Sequence, residues 1–163
     1  MRVKDVVRAS KVVVDQGSWK DGKMPNTAFP LGKSPLHISA KFRWRSLIFE
    51  ALDFRFRVLI VYRLDLQKYS AFLGRVEGKD MLMLARYEWH ANEPGWHVHV
   101  PRTCDDREQL PGRTGGCDRR VPRAFGQHRS TSFDVVDDES AFRRAYDAFR
   151  LASAPGNFVL EAQ

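Results

Sequence analysis

Phe54-Arg55-Phe56-Arg57-Val58-Leu59-Ile60-Val61-Tyr62-Arg63 is the stretch on which the fold turns. Phe54, Phe56, Val58 and Ile60 alternate with Arg55, Arg57, Leu59 and Val61, and successive side chains of a strand leave opposite faces. The period of two and the aromatic and β-branched residues predict a strand with an apolar face towards a core and an arginine-bearing stretch towards water. The same alternation precedes it in His37-Ile38-Ser39-Ala40-Lys41-Phe42-Arg43-Trp44-Arg45, where Phe42 and Trp44 share one face and Arg43 and Arg45 the other.

Downstream the pattern continues as a meander. Leu64 to Lys68 reads as a polar turn, Tyr69 to Arg75 as a strand, and Glu77-Gly78-Lys79-Asp80 as a tight turn. Met81 to His90 and Trp96 to Val100 are the next strands, joined by Asn92-Glu93-Pro94-Gly95. Turns every ten or so residues, with no helical period between them, predict an antiparallel sheet of about five strands. Residues 101–130 hold three prolines and seven arginines without a sustained period. A connection of ~30 residues is long enough to be functional, irregular or both. Beyond it, Asp137 or Asp138 caps a helix whose apolar stripe is Phe142, Ala145, Tyr146 and Phe149. Ala154-Pro155-Gly156 stops that helix, and Phe158-Val159-Leu160 reads as a returning edge strand.

Upstream, Val3, Val6 and Val7 fit a helix while Val12-Val13-Val14 fit a strand, and the pattern leaves the choice open. Residues 16–36 carry three glycines and three prolines and read as a loop or arm. The expected architecture is α+β: a twisted antiparallel meander with a C-terminal amphipathic helix packed on it. Residues 1–36 form an N-terminal segment or arm, and residues 37–163 a single domain.

At 43% hydrophobic residues the chain is too apolar for global disorder. No run approaches the ~20 apolar residues of a membrane span, and Met1-Arg2-Val3-Lys4-Asp5 lacks the apolar core of a signal peptide. A cytoplasmic protein without a membrane partner is the expectation. The net charge of +7 is uneven, with thirteen Lys or Arg against five acids in residues 1–63 and an acidic balance after residue 130. Clustered cations attract phosphate, so nucleic acid is a candidate partner; an acidic protein face or a merely solvated surface is the alternative.

Chemistry concentrates at one hairpin. Three of five histidines, His90, His97 and His99, bracket Pro94-Gly95. By parity Glu88 and His90 share a face of one strand, and His97 and His99 a face of the next. A four-residue turn sets His90 opposite His97 with Glu88 opposite His99, or His90 opposite His99 when the turn centre moves by one. A one-residue bulge would split the group. Trp89, Trp96 and Val98 would fill the reverse side. Paired imidazoles can act as general base and acid on a phosphodiester without metal. Alternatively His90, His97 and His99, with Glu88 or Cys104, could hold Zn²⁺. The plain alternative is a hairpin of half-exposed histidines. Cys104 and Cys117 belong to no Cys-x-x-Cys motif and read as free thiols.

Arg43, Arg45, Arg55 and Arg57, with Arg63, are candidates for a guanidinium ladder on phosphate, since the planar fork donates two bonds to one anion. Arg119, Arg120 and Arg123 in the long loop could close on the same polyanion.

Pro94-Gly95-Trp96-His97-Val98-His99, following Leu84-Ala85-Arg86-Tyr87-Glu88-Trp89-His90, resembles a signature of small bacterial proteins over about residues 40–150, and that resemblance implies no activity. In layout, a sheet bearing His, Glu and Arg is similar to small ribonuclease-type toxins, with no motif carried over. The leading expectation is a basic nucleic-acid-binding protein, RNA favoured, acting as a metal-independent ribonuclease through His97 with His90 or His99 and Glu88. The others are a non-enzymatic interaction protein of phage or mobile-element type that docks a nucleoprotein or acidic partner, and a metal-binding protein.

Overall fold

The computed structural model describes residues 1–32, 35–91, 93–101, 118–122 and 132–151. Seven strands lie in sequence order across one sheet, each antiparallel to its neighbour. They are β1 (Val12–Asp15), β2 (Arg43–Ala51), β3 (Phe54–Arg63), β4 (Lys68–Glu77), β5 (Asp80–His90), β6 (Glu93–Pro101) and β7 (Asp118–Pro122). The helices are α1 (Val3–Arg8) and α2 (Asp138–Phe149). The α+β meander with a C-terminal helix is as expected, with a further strand at each edge. The choice left open over residues 1–15 resolves into both elements, α1 followed by β1. No helix among the described residues is long and apolar enough to cross a membrane.

The β2–β3 turn sets the register. Leu52 and Asp53 both take positive φ, 51° and 62°, as a two-residue type I′ hairpin requires. Ala51 therefore pairs with Phe54, and the ladder runs back to Arg43 opposite Tyr62. This moves the strand expected at 37–45 to 43–51, because the alternation that buries Leu47, Phe49 and Ala51 follows the basic run.

Both faces of the sheet are covered. On the first, Phe56, Val58, Ile60 and Tyr62 meet Leu47 and Phe49 from β2 and Tyr69, Ala71 and Leu73 from β4, together with the helices. The helix α2 buries Ala141, Ala145, Ala148 and Phe149. Its expected stripe is thus rotated, and Phe142 and Tyr146 are only partly buried at its margin. Alanines let the backbone come close enough for the Tyr69 hydroxyl to donate to the Ala141 carbonyl at 3.0 Å. Asp137 caps α2 by accepting from the Ser140 amide at 2.8 Å, while the Ser140 hydroxyl accepts from the Asp137 amide at 3.0 Å. Asp138 ties the helix to the sheet, accepting from Arg43 Nε and Nη2 at 2.5 and 2.6 Å and from the Tyr62 hydroxyl at 2.6 Å.

The second face was expected to meet water; part of it does, with the Arg55 side chain 59% exposed, but its centre is covered. Trp44, Leu59, Val61, Phe72, Met81 and Met83 are covered by Met24, Phe29 and Leu31. The segment 16–36 is irregular apart from a 3₁₀ turn at Asn26–Ala28, yet those three side chains are almost fully buried. At roughly 1.5–3 kcal/mol for each large apolar side chain buried, the contact holds this part of the segment on the sheet.

The strand β7 lies inside the stretch read as a long loop and pairs with β6, Arg119 opposite Val100 and Arg120 opposite His99. Cys104, Cys117, Arg123, the expected stop at 154–156 and the expected strand at 158–160 lie outside the described residues.

Candidate metal centre on the β5–β6 hairpin

The hairpin keeps the cluster together by an even insertion. Glu88 pairs with His97, Arg86 with His99 and His90 with Glu93, so neither expected register forms. Between the last two pairings β6 contributes Pro94, Gly95 and Trp96 where β5 contributes Trp89 alone. A surplus of one residue would have reversed the faces; a surplus of two restores them. Gly95 takes φ +111° within this irregularity, a region that only glycine enters freely. Trp89, Trp96 and Val98 fill the opposite, helix-covered side as expected, with the two indole rings 5.7 Å apart.

Glu88 is the hub. Its Oε1 lies 3.0 Å from His99 Nε2, 3.5 Å from His97 Nε2 and 3.7 Å from His90 Nε2. Its Oε2 lies 2.8 Å from Arg86 Nε, and the Ser70 hydroxyl stands at 3.5 Å. The His97 ring is 5.3 Å from that of His90 and 4.9 Å from that of His99, centroid to centroid. The His97 side chain is 0% exposed and that of Glu88 8%, whereas His90 at 29% opens the group to solvent. Glu88, His90 and His97 each present one ligand atom within 4.8 Å of the others.

Two features prepare these groups for chemistry. His97 Nδ1 lies 2.6 Å from the Gly95 carbonyl. A carbonyl can only accept, so Nδ1 carries a proton and Nε2 is the ring atom left facing Glu88. Burial opposes ionisation of Glu88, but hydrogen bonding from His97 and the charges of Arg86 and His99 outweigh it and hold the carboxyl below its ordinary value. Glu88 is therefore a carboxylate at neutral pH.

The arginines do not form a ladder. Arg43 and Arg45 share the helix-covered face with Leu47, while Arg55 and Arg57 lie towards the far end of the β2–β3 pair on the opposite face. Each meets a partner within the chain. Arg43 binds Asp138 and Asp21. Arg45 donates to the Gln16 carbonyl at 2.9 Å and lies over the Phe142 ring. Arg55 pairs with Glu50 at 2.8 Å, and Arg57 donates to the carbonyls of Thr27 and Ala28. Arg63 pairs with Asp65. Arg120 on β7 pairs with His99, and Arg119 with Val100.

Arg86 and Ser70 join the site without having been singled out from sequence. For Arg86 the signal was present, since it stands two residues before Glu88 and parity gives both the same face. For Ser70 no such signal existed, because the β4–β5 register opposite Glu88 decides its place. Comparison of the chain with protein-family models, curated proteins and solved structures finds no match.

Proposed function

We propose that this protein binds a divalent transition-metal ion of the Zn²⁺ class through Glu88, His90 and His97. The observation that carries the reading is the spacing of the ligand atoms around Glu88 Oε1, 3.5 Å to His97 and 3.7 Å to His90. Ligand arms of about 2.05 Å in a tetrahedron give edges of about 3.4 Å, close to these two, and the full set lies within 4.8 Å and would draw together on the ion. The Gly95 carbonyl on His97 Nδ1 is the kind of outer contact that fixes a ligating tautomer. Arg86 holds the other carboxylate oxygen, Oε2, while His99 Nε2 stands 3.0 Å from Oε1 itself. A bound ion supplies Lewis acidity next to the solvent-facing edge at His90, so the chemical class is metal-assisted hydrolysis or metal carriage. Calorimetric titration of metal-stripped protein with Zn²⁺ tests this. One ion per chain with micromolar or tighter affinity is expected, and a His97→Ala variant that takes up zinc equally well removes the assignment.

A second reading uses the same imidazoles as a metal-independent acid–base pair on an RNA phosphodiester, with Glu88 orienting them. The 3.0 Å approach of His99 Nε2 to Glu88 and the neighbouring Arg86 favour it. RNA cleavage that survives EDTA and disappears in His97→Ala selects this reading over the first. The reading as a broad basic docking face draws less support, because Arg43, Arg45, Arg55 and Arg57 are engaged within the chain.

A further inference from the structure

A cavity of about 210 Å³ lies away from the histidines, between the strap 15–20, the turn at 25–28 and strands β2 and β3. It offers several times the space that one water needs. Its walls carry an unusual charge balance. Arg57 enters from β3, and Lys20 is held opposite Trp44 by reciprocal backbone hydrogen bonds of 2.8 and 2.9 Å. The Lys20 ammonium sits over the Trp44 ring, 5.2 Å from its centre. Among the described residues neither cation has a carboxylate within ion-pair distance. The nearest acid in the lining, Asp15, is turned to the Gly17 amide at 2.8 Å.

Arg57 is the less comfortable of the two. Its Nη1 donates to the Thr27 and Ala28 carbonyls at 2.6 and 3.0 Å, while its buried Nε finds no acceptor among the described residues. Burial pushes its acidity up, and only the charge of Asp15 acts against that. The Trp44 indole N–H, in the same lining, is also buried without an acceptor. A half-buried guanidinium satisfied only by neutral carbonyls, with donors beside it lacking acceptors, is costly unless an anion completes the site.

We infer that this cavity is a phosphate-class oxyanion site, in which Arg57 and Lys20 supply the charge and take either free phosphate or the terminal group of a small phosphomonoester. Asp15 in the lining disfavours a ligand of high negative charge, and a volume of about 210 Å³ suits one phosphate group rather than a polynucleotide. The site is independent of the histidine hairpin, so it stands or falls separately from metal binding.

The experiment is calorimetric titration of the full chain, kept metal-free with EDTA, at constant ionic strength. Inorganic phosphate is one arm, glycerol 3-phosphate the second, and chloride the reference. Saturable binding of one phosphate or one ester per chain is expected, and the tighter arm identifies the source. Lys20→Ala alters an exposed residue and should fold, and it is expected to weaken binding about ten-fold through loss of a charge-assisted contact. Arg57→Gln should abolish binding if it folds, and Lys20→Ala decides if it does not. No saturable uptake below about 10 mM, an affinity too weak to specify a site, overturns the proposal. So does uptake that Lys20→Ala leaves unchanged.

Discussion

Replacing Glu88 by glutamine removes one negative charge from the centre of Arg86, His90, His97 and His99 while keeping the shape of the side chain. Its two closest ion-pair contacts are Arg86 at 2.8 Å and His99 at 3.0 Å. Contacts to charged groups contribute about 1.5–3 kcal/mol each. The amide retains an acceptor oxygen and is easier to bury than a carboxylate, which offsets roughly half of that sum. A net loss of about 1.5–3 kcal/mol follows, or roughly 4–9 °C in Tm for a chain of this length. The effect has a definite pH dependence. The folded carboxyl titrates below its ordinary value, so its contribution is complete above the unfolded pKa near 4.5 and is lost as pH falls through the folded one. Urea unfolding followed by tryptophan fluorescence, with chelator present at pH 7 and again at pH 4 and below, measures both. A difference under about 0.5 kcal/mol at pH 7, the scatter of neutral surface changes, refutes the reasoning. A gap between variant and wild type that widens in acid refutes it equally.

Asp138→Asn weakens the anchor of α2 on β2 and β3. With side chains of both Asp138 and Arg43 about one-third exposed, solvent screening limits the loss to about 1–2 kcal/mol, or roughly 3–6 °C by scanning calorimetry; an unchanged Tm would show that the Arg43 and Tyr62 contacts do not hold the helix. Gly17→Ala places a side chain at φ +58° with its Cβ 2.1 Å from the Ser46 carbonyl oxygen. A cost of at least about 2 kcal/mol in urea unfolding is expected, and a neutral variant would mean that the strap does not lie on β2 as described.

Much of the fold was legible because its core obeys simple periods. Phe56, Val58 and Ile60 announce one face of β3, and the spacing of apolar residues after Asp137 announces α2. What parity cannot supply is register. The arginine ladder failed on this point: the Leu52–Asp53 turn sets Arg43 opposite Tyr62 and Arg55 opposite Glu50, so the two basic pairs fall at opposite ends and on opposite faces. The cover over the second face was hidden for a different reason. Met24, Phe29 and Leu31 sit in an irregular segment with no period, and only tertiary contact reveals that they close over Leu59 and Val61. At the hairpin, parity correctly gathered Glu88, His90, His97 and His99, but it held only because the irregularity in β6 adds two residues rather than one. That number is a matter of backbone geometry around Gly95, which the residue types alone do not fix.

The central claim is that Glu88, His90 and His97 form one metal centre. Diffraction from zinc-loaded crystals at the zinc absorption edge tests it most directly. The account predicts a single anomalous peak at about 2.0–2.2 Å from a Glu88 carboxylate oxygen, His90 Nε2 and His97 Nε2. An anomalous map with no peak there, or with zinc bound only at other surface groups, would contradict it.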